Sequence, residues 1–178
     1  MKIPLRIQLL LWWSSIVNRS KIEKLVKITK TGEGAKNILF LLPQEQISAP
    51  TISHLIKRDL NNESRDIRYI VHENGLQYYS EQIKLNMISY SDDDLNWWGD
   101  IKSSIIMDKI NIIKYDAIVN MNQEFDSTMA LLALKLEAPI KVGFDLSFSE
   151  NIYNMIIQSS NTGFIEKKYE KIEKILGL

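Results

Sequence analysis

The run Ile38-Leu39-Phe40-Leu41-Leu42 decides the fold, because it is apolar at every position, has the length of a strand and is closed by Pro43. Four more strands are predicted, at Ile67–Val71, Met87–Tyr90, Ala117–Val119 and Ile140–Phe144. Helical patterns separate the strands, at Ala49–Leu60, Gly75–Leu85, Ile101–Ile113 and Ser127–Leu136. Strands that alternate with helices pair in parallel through right-handed crossovers, and strands that are apolar on both faces are covered on both sides. We therefore predict an α/β fold with a doubly wound, mostly parallel sheet.

Composition limits the chemistry open to this chain. Its 178 residues, 45% of them apolar, are enough for one domain with its own core. It has no cysteine, which excludes disulfides and thiolate sites and fits a cytoplasmic location. With His54 and His72 as the only histidines, we expect no metal site. We also expect no cofactor, because the turn Pro43–Pro50 lacks the glycines of a phosphate-binding loop.

The first 30 residues form a basic arm. Residues 1–30 carry seven bases and one acid, a net charge of +6, whereas the remaining residues sum to −6. The apolar run Ile7–Trp13 is too short to span a membrane, which takes about 20 apolar residues, and no small-x-small cleavage site follows it. The spacing predicts an amphipathic helix over residues 4–30, ahead of a body formed by residues 31–178.

Two interpretations of the arm stay open. An interfacial helix would place its apolar side chains in the headgroup region of a membrane, on the inner face, with its bases on anionic lipid. A packed helix would instead dock on its own domain or on a protein partner. The contact residues would be Ile7, Leu10, Leu11, Trp12 and Trp13. Trp97 and Trp98 form a second candidate contact, although core packing also explains them. The bases show no groove-reading pattern, so no nucleic acid is expected.

Polar residues follow several strands, where the functional crevice of a doubly wound sheet lies. The weak candidates for catalysis are Glu45, His72 and Glu73. His72 and Glu73 could act as an acid/base pair, although a turn with a helix cap at Asn74 is the simpler interpretation. The candidate ligand-binding residues are Gln44, Asn120, Asn122 and Asp145. The run Asp92-Asp93-Asp94 lacks the spacing of a calcium loop, so we interpret it as a solvated acidic loop.

Three motifs stand out in the second half of the chain: Tyr115-Asp116-Ala117-Ile118-Val119-Asn120-Met121-Asn122, then Ala130-Leu131-Leu132-Ala133, then Ala138-Pro139-Ile140-Lys141-Val142-Gly143-Phe144-Asp145. The tail from Phe164 to Gly177 is a fourth. Over roughly residues 36–178 the chain resembles the N-terminal, acceptor-side domain of heptosyltransferases, which transfer heptose to the lipopolysaccharide core. With Asn151–Ile156, the tail also resembles short uncharacterised Bacteroidota proteins of similar architecture. The resemblance implies a Rossmann-like domain that is half of a GT-B fold and ends in a helix.

Departures from the heptosyltransferase pattern bear on activity. Gln44 stands where the resemblance places the aspartate that activates the acceptor hydroxyl, and a glutamine cannot take a proton, although the neighbouring Glu45 could. Asn120 stands at the aspartate of the family's "VIDL" motif. The domain that binds the nucleotide sugar has no counterpart in these residues, so half of the clamp that holds donor against acceptor is missing.

The sequence therefore predicts a non-catalytic, glycosyltransferase-like module that acts as a binding or structural subunit. Its arm would attach it to a protein partner or to an anionic membrane surface, and nucleotide sugars are not expected to bind it. The alternative is an enzyme: a sugar-transfer half whose donor domain sits on another chain, or a small hydrolase that uses the weak catalytic candidates.

Overall fold

The computed structural model describes residues 5, 8–10, 12–13, 34–56, 65–158 and 165–178. The strands are β1 (Asn37–Leu41), β2 (Asp66–His72), β3 (Met87–Tyr90), β4 (Ala117–Asn120), β5 (Ile140–Phe144) and β6 (Met155–Ile157). Within the described part of residues 34–178, the α-helices are α1 (Ala49–Ile56), α2 (Glu81–Lys84), α3 (Ser104–Asn111), α4 (Ser127–Lys135), α5 (Ser149–Ile152) and α6 (Ile165–Leu176). Two 3-10 helices, Glu73–Tyr78 and Asp92–Asp94, follow β2 and β3.

The strands form one sheet in the order β3-β2-β1-β4-β5-β6, and every neighbouring pair is parallel. The central strand β1 places Ile38 beside Ile67 of β2 on one side and beside Ala117 of β4 on the other. The prediction of a doubly wound, parallel α/β fold of the Rossmann-like type is confirmed.

Helices cover both faces of the sheet, and alternate residues of β1 point into two separate cores. Ile38, Phe40 and Leu42 lie in the first core, which α1, α2 and α6 cover. Leu39 and Leu41 lie in the second core, which α3, α4 and α5 cover. All five of these side chains are at most 1% exposed. Burial on both sides explains why the run that decides the fold is apolar at every position.

Several elements differ from the prediction. The helix α5 and the sixth strand β6 were not predicted, because they have only four and three residues and β6 lies at the edge of the sheet. The predicted helix Gly75–Leu85 is instead a 3-10 helix followed by the four-residue α2. The predicted helix Ile101–Ile113 begins only at Ser104, because Ile101 pairs with Leu95 in an isolated antiparallel bridge. The predicted helix Ala49–Leu60 is present to Ile56, and residues 57–60 lie outside the described part.

Candidate functional site

The strand order reverses between β1 and β4, which are neighbours in the sheet although β2 and β3 come between them in the chain. In a doubly wound sheet the crevice for ligands opens at this point, beyond the carboxyl ends of the strands. Residues 42–48 after β1 and residues 121–126 after β4 flank the crevice. The candidate site is built from these two loops and from the ends of β2 and β3 beside them.

Two buried asparagines lie at the end of β4. The side-chain amide of Asn120 donates to the Tyr153 hydroxyl at 2.6 Å, and its Oδ1 accepts the backbone and side-chain N–H groups of Asn122 at 3.0 and 2.7 Å. The Asn122 side chain also donates to the Leu41 carbonyl of β1 at 3.5 Å. Its Oδ1 is buried and accepts no hydrogen bond from any described residue. The network therefore fixes the start of the loop after β4 and leaves one buried acceptor at the crevice.

His72 is the last residue of β2 and is 5% exposed. Its Nδ1 accepts the backbone N–H of Asn74 at 3.3 Å, so the predicted turn is present but its capping side chain is His72 rather than Asn74. Because Nδ1 is an acceptor, the proton of the neutral imidazole lies on Nε2. Nε2 is 3.3 Å from Oδ1 of Asp92, yet no described residue accepts its proton in good hydrogen-bond geometry. The imidazole meets the Tyr90 ring edge to face, with centroids 5.1 Å apart.

Asp126 caps the N-terminus of α4, where its Oδ1 accepts the Met129 N–H at 3.0 Å. Burial raises the pKa of this carboxyl, while the capping hydrogen bonds and the nearby His72 lower it in part. Burial also raises the pKa of the Tyr90 hydroxyl, and the charge of Asp126 adds to that rise. Asp126, His72 and Tyr90 therefore lie within electrostatic reach of one another. The sequence analysis missed Asp126 and Tyr90, although an aspartate directly before an apolar helix is the N-cap signal that points to the first.

The loop after β1 is held by a buried tyrosine. The Tyr79 hydroxyl donates to the Pro43 carbonyl at 2.7 Å, and burial raises its pKa. Gln44, the next residue, is half-buried. Glu45 is exposed, and Ser48 Oγ donates to its carboxylate at 3.5 Å. The loop therefore presents Gln44 and Glu45 at the carboxyl edge of the sheet.

The three catalytic candidates do not form one group. Glu73 is exposed at the start of its 3-10 helix, next to the buried His72. Between described residues, no hydrogen bond or ion pair joins Glu45, His72 and Glu73. The polar groups nearest the His72 side chain belong instead to Asn74 and Asp92.

Asp145 lies with β5 and β6, away from the other ligand-binding candidates. It is exposed, and its backbone N–H donates to the Ile157 carbonyl at 3.1 Å. It lines a cavity of about 400 Å³ together with Glu150 and Lys171. The structure therefore groups Asn120 with Asn122 at the crevice but does not place Asp145 with them.

The loops at the carboxyl edge carry many more acids than bases. These loops are residues 42–48, 73–80, 91–103, 121–126 and 145–150. Their ten acidic residues are Glu45, Glu73, Asp92, Asp93, Asp94, Asp100, Glu124, Asp126, Asp145 and Glu150, and their one base is Lys102. The segments that lead into the strands carry Lys36, Arg65, Lys84, Lys114 and Lys135, together with the acids Asp116 and Glu137. The sheet thus has an acidic carboxyl edge, and the crevice opens there.

The acidic run after β3 is a capped turn. Asp94 accepts the backbone N–H and the hydroxyl of Ser91, each at 2.9 Å, and these hydrogen bonds lower its pKa. The side chain of Asp92 is 90% exposed. Among the described residues, no three His, Asp or Glu side chains are grouped to hold a metal ion.

Residues 5, 8–10, 12 and 13 of the arm are helical. Leu10 is half-buried against the second core and lines a cavity of about 350 Å³, together with Trp98, Leu131 and Leu134. Ile7, Leu11 and residues 14–30 lie outside the described part of the chain. The described arm therefore contacts its own domain through Leu10.

The rest of the described arm presents apolar side chains to solvent. Leu5, Leu9, Trp12 and Trp13 are 73%, 57%, 56% and 67% exposed. Spacings of three and four residues place them on one face of a helix. Trp97 and Trp98, 69% and 39% exposed, meet edge to face with centroids 4.7 Å apart. Trp98 and Leu10 line the same cavity, so the described arm passes beside the second tryptophan pair. We call these six side chains the tryptophan surface.

No helix in the described ranges is long and apolar enough to cross a membrane. Comparison with known proteins found no match among curated proteins and none among solved structures. Residues 15–177 match the description "Family of unknown function (DUF6913)". The match includes all six strands and excludes the first tryptophan pair. The chain therefore belongs to the DUF6913 family.

Proposed function

We propose that the chain is a non-catalytic binding module whose arm and tryptophan surface attach the α/β domain to an anionic membrane. The observation that carries this proposal is that all four tryptophans of the chain are exposed, while Leu10 of the arm and Trp98 line one cavity. A leucine or tryptophan side chain contributes about 1.5–3 kcal/mol when it is removed from water, so six of them on one surface favour a covered state.

Tryptophan suits a membrane interface better than most apolar side chains. Its ring is apolar, while its indole N–H reaches the polar headgroup level. The described part of the arm also supports attachment to a membrane rather than complete burial of the arm against its own domain. Leu10 packs against the body, whereas Leu5, Leu9, Trp12 and Trp13 are each more than half exposed. The domain therefore leaves most of the apolar surface of these four side chains in solvent.

Charge favours an anionic membrane over a neutral one. The arm carries a net charge of +6, and the remainder of the chain carries −6. Each base near an anionic bilayer contributes about 1 kcal/mol, and the acidic carboxyl edge would be repelled from the same surface. The module would therefore bind with its arm toward the lipid and its crevice away from it.

The acidic carboxyl edge also supports the non-catalytic form of the proposal. A nucleotide sugar brings a diphosphate, which proteins hold with lysine, arginine or a glycine-rich loop. The two loops that flank the crevice, residues 42–48 and 121–126, contain no lysine, arginine or glycine. Gln44 and Asn120, which stand where the heptosyltransferase pattern has aspartates, support the same interpretation.

Vesicle flotation with the full chain tests the attachment. We expect flotation with vesicles of phosphatidylcholine and phosphatidylglycerol, and little with phosphatidylcholine alone. The double variant Trp12→Ala/Trp13→Ala should lose flotation. A matched control removes two isoleucines that are equally exposed but lie at α3, by the double variant Ile105→Ala/Ile112→Ala.

Two results would overturn the proposal. One is a full-length monomer that floats with neither kind of vesicle. The other is a full-length dimer in size exclusion whose tryptophan variant is monomeric, because a second copy would then cover the tryptophan surface. Equal loss of flotation in the control pair would also count against a role specific to the tryptophans.

A further inference from the structure

The cavity of about 350 Å³ beside the tryptophan surface has a charged wall as well as an apolar one. Leu10 of the arm, two leucines of α4 and Trp98 supply the apolar side chains. Asp100 and Lys135 line the same cavity, and Nζ of Lys135 lies 3.2 Å from Oδ2 of Asp100. One small volume is therefore bordered by the arm, a membrane-facing tryptophan and a pair of opposite charges.

A hydrogen-bonded turn places the acid next to Trp98. Oδ1 of Asn96 accepts the backbone N–H groups of Trp98 at 2.9 Å and of Asp100 at 3.1 Å. The Asn96 N–H in turn donates to the Asp100 carbonyl at 2.9 Å. Gly99 lies between them with a φ of 81°, in the left-handed region that glycine adopts without strain. The position of the carboxylate beside the tryptophan is thus fixed by the backbone of the turn.

The carboxylate of Asp100 has one unused oxygen. Lys135 donates to Oδ2, whereas Oδ1 is buried and accepts no hydrogen bond from any described residue. A buried acceptor without a donor is unfavourable. The terminal torsion of an aspartate is soft, so a small rotation of the carboxyl group would turn this oxygen toward the cavity. A ligand with several N–H groups could then donate to both oxygens.

The ion pair between Asp100 and Lys135 is easily exchanged for other partners. The two side chains are 29% and 44% exposed. Ion pairs that reach solvent to this extent add little to stability. A ligand that offers an anion to the lysine and a cation to the aspartate would therefore replace the pair at small cost.

The two opposite charges favour a zwitterion over a simple ion. A lone anion at Lys135 would also face the Asp100 carboxylate, and a lone cation at Asp100 would also face the lysine. A ligand whose positive and negative groups are adjacent meets both. Its cation must carry N–H groups to serve the unused oxygen of Asp100, which a trimethylated ammonium cannot do.

The volume of the cavity limits how much of the ligand it can hold. Small-molecule sites measure about 300–1,000 Å³, and this cavity lies at the lower end of that range. It suits a headgroup rather than a whole phospholipid with two acyl chains. Trp98 and Leu10 at its border adjoin the tryptophan surface, so the chains of a bound lipid would stay in the bilayer.

We propose that this cavity binds a phospholipid headgroup that joins a phosphodiester to a primary ammonium, as in phosphatidylethanolamine. The ammonium group would donate to Asp100, and the phosphate would accept from Lys135. This inference rests on the proposed attachment to a membrane, and it names one lipid that the attached chain would select.

Flotation of the full chain with two kinds of vesicle tests the selection. Both contain the same fraction of phosphatidylglycerol, and the remainder is phosphatidylcholine in one and phosphatidylethanolamine in the other. We expect the partition coefficient to be at least about fivefold higher with phosphatidylethanolamine, because its ammonium retains the N–H groups that Asp100 accepts.

Two variants separate headgroup recognition from a general effect of lipid packing. Asp100→Asn should bind both kinds of vesicle alike, because it loses the charge that the ammonium meets. Its binding to the phosphatidylcholine vesicles should be at least that of the parent chain, which also shows that it is folded. The control Asp93→Asn makes the same change of charge at an exposed position of the same loop and should keep the fivefold ratio.

The outcomes distinguish this inference from the attachment itself. A parent chain that floats equally well with both kinds of vesicle overturns the headgroup site and leaves the attachment standing. A fivefold ratio that persists in Asp100→Asn, or that is lost equally in Asp93→Asn, overturns the headgroup site as well. A chain that floats with neither kind overturns both proposals.

Discussion

The aromatic ring of Tyr153 lies so close to the Cα of Gly143 that a Cβ added there would stand 2.4 Å from two atoms of the ring. Tyr153 is 8% exposed, and its hydroxyl accepts the hydrogen bond from Asn120 at 2.6 Å. The tyrosine thus joins β5 to β4 and to the helix α5 that precedes it. A glycine in the middle of a buried strand is unfavourable on its own, so its role here is to admit the ring.

Gly143→Ala should therefore lower the free energy of unfolding by about 1–3 kcal/mol or more through overpacking. Denaturant unfolding measures the loss. The matched test is the pair Tyr153→Ala and Gly143→Ala/Tyr153→Ala. If the clash with the ring is the cause, the double variant should be no less stable than Tyr153→Ala alone. Additive losses would show that Gly143 is required for another reason.

Asp126→Asn should raise stability at neutral pH. Burial raises the pKa of Asp126 in the folded chain, so the folded state binds its proton more tightly than the unfolded state does. The contribution of Asp126 is then most favourable below its unfolded pKa and is lost as the pH rises through its raised folded pKa. Asparagine keeps the cap without the charge. Melting temperatures should differ most near pH 7 and converge toward acid. A difference independent of pH would contradict this account.

Tyr79→Phe should cost about 1–3 kcal/mol, because it leaves the Pro43 carbonyl without its donor in a buried place. The neighbouring Tyr78→Phe is the control, since Tyr78 is only half-buried and should change stability by about 0.5 kcal/mol or less. Chemical denaturation of the two variants gives the comparison. Equal effects would mean that the hydroxyl of Tyr79 does not hold the loop after β1.

Intrinsic fluorescence should report the tryptophan surface directly. All four tryptophans are exposed, so the emission in buffer should lie close to that of tryptophan in water. Vesicles that contain phosphatidylglycerol should shift it to shorter wavelength, and high salt should reverse the shift by screening the arm. An emission maximum already at short wavelength in buffer would show that the tryptophans are covered without any membrane.

Apolar runs made the strands predictable where both faces of the strand are buried, as in Ile38–Leu41 of β1 and Ala117–Val119 of β4. The strand β6 was not predicted, because a pattern of three residues cannot be distinguished from that of a loop. The helix expected from Gly75 onward is interrupted at Tyr79, where the side chain turns to bond Pro43. The helix is therefore interrupted because of a tertiary contact, the hydrogen bond from Tyr79 to Pro43, which no local sequence pattern predicts.

The candidate site was predictable in part. His72, Asn120 and Asn122 were expected at the carboxyl ends of strands, and they lie there. Asn120 bonds to Tyr153 across 33 positions of sequence, with two helices and a strand between them, so spacing could not reveal that partner. The burial of His72 could not be predicted from the sequence either. It depends on groups such as the Tyr90 ring that surround the imidazole in the fold, and not on the residues next to His72 in the chain.

The central place of β1 has a consequence for how the chain is made. Its residues leave the ribosome before those of the other five strands, and β2 and β3 can join them on one side soon afterwards. The other edge of β1 stays unpaired until β4 has been synthesised, because it pairs with that strand, for example Ile38 with Ala117. During that interval a fully apolar strand offers unpaired N–H and C=O groups to any neighbouring nascent chain, which is the situation that favours misassembly. Translation speed and chaperone supply over residues 42–116 should therefore govern the yield of soluble protein more than the stability of the finished fold does.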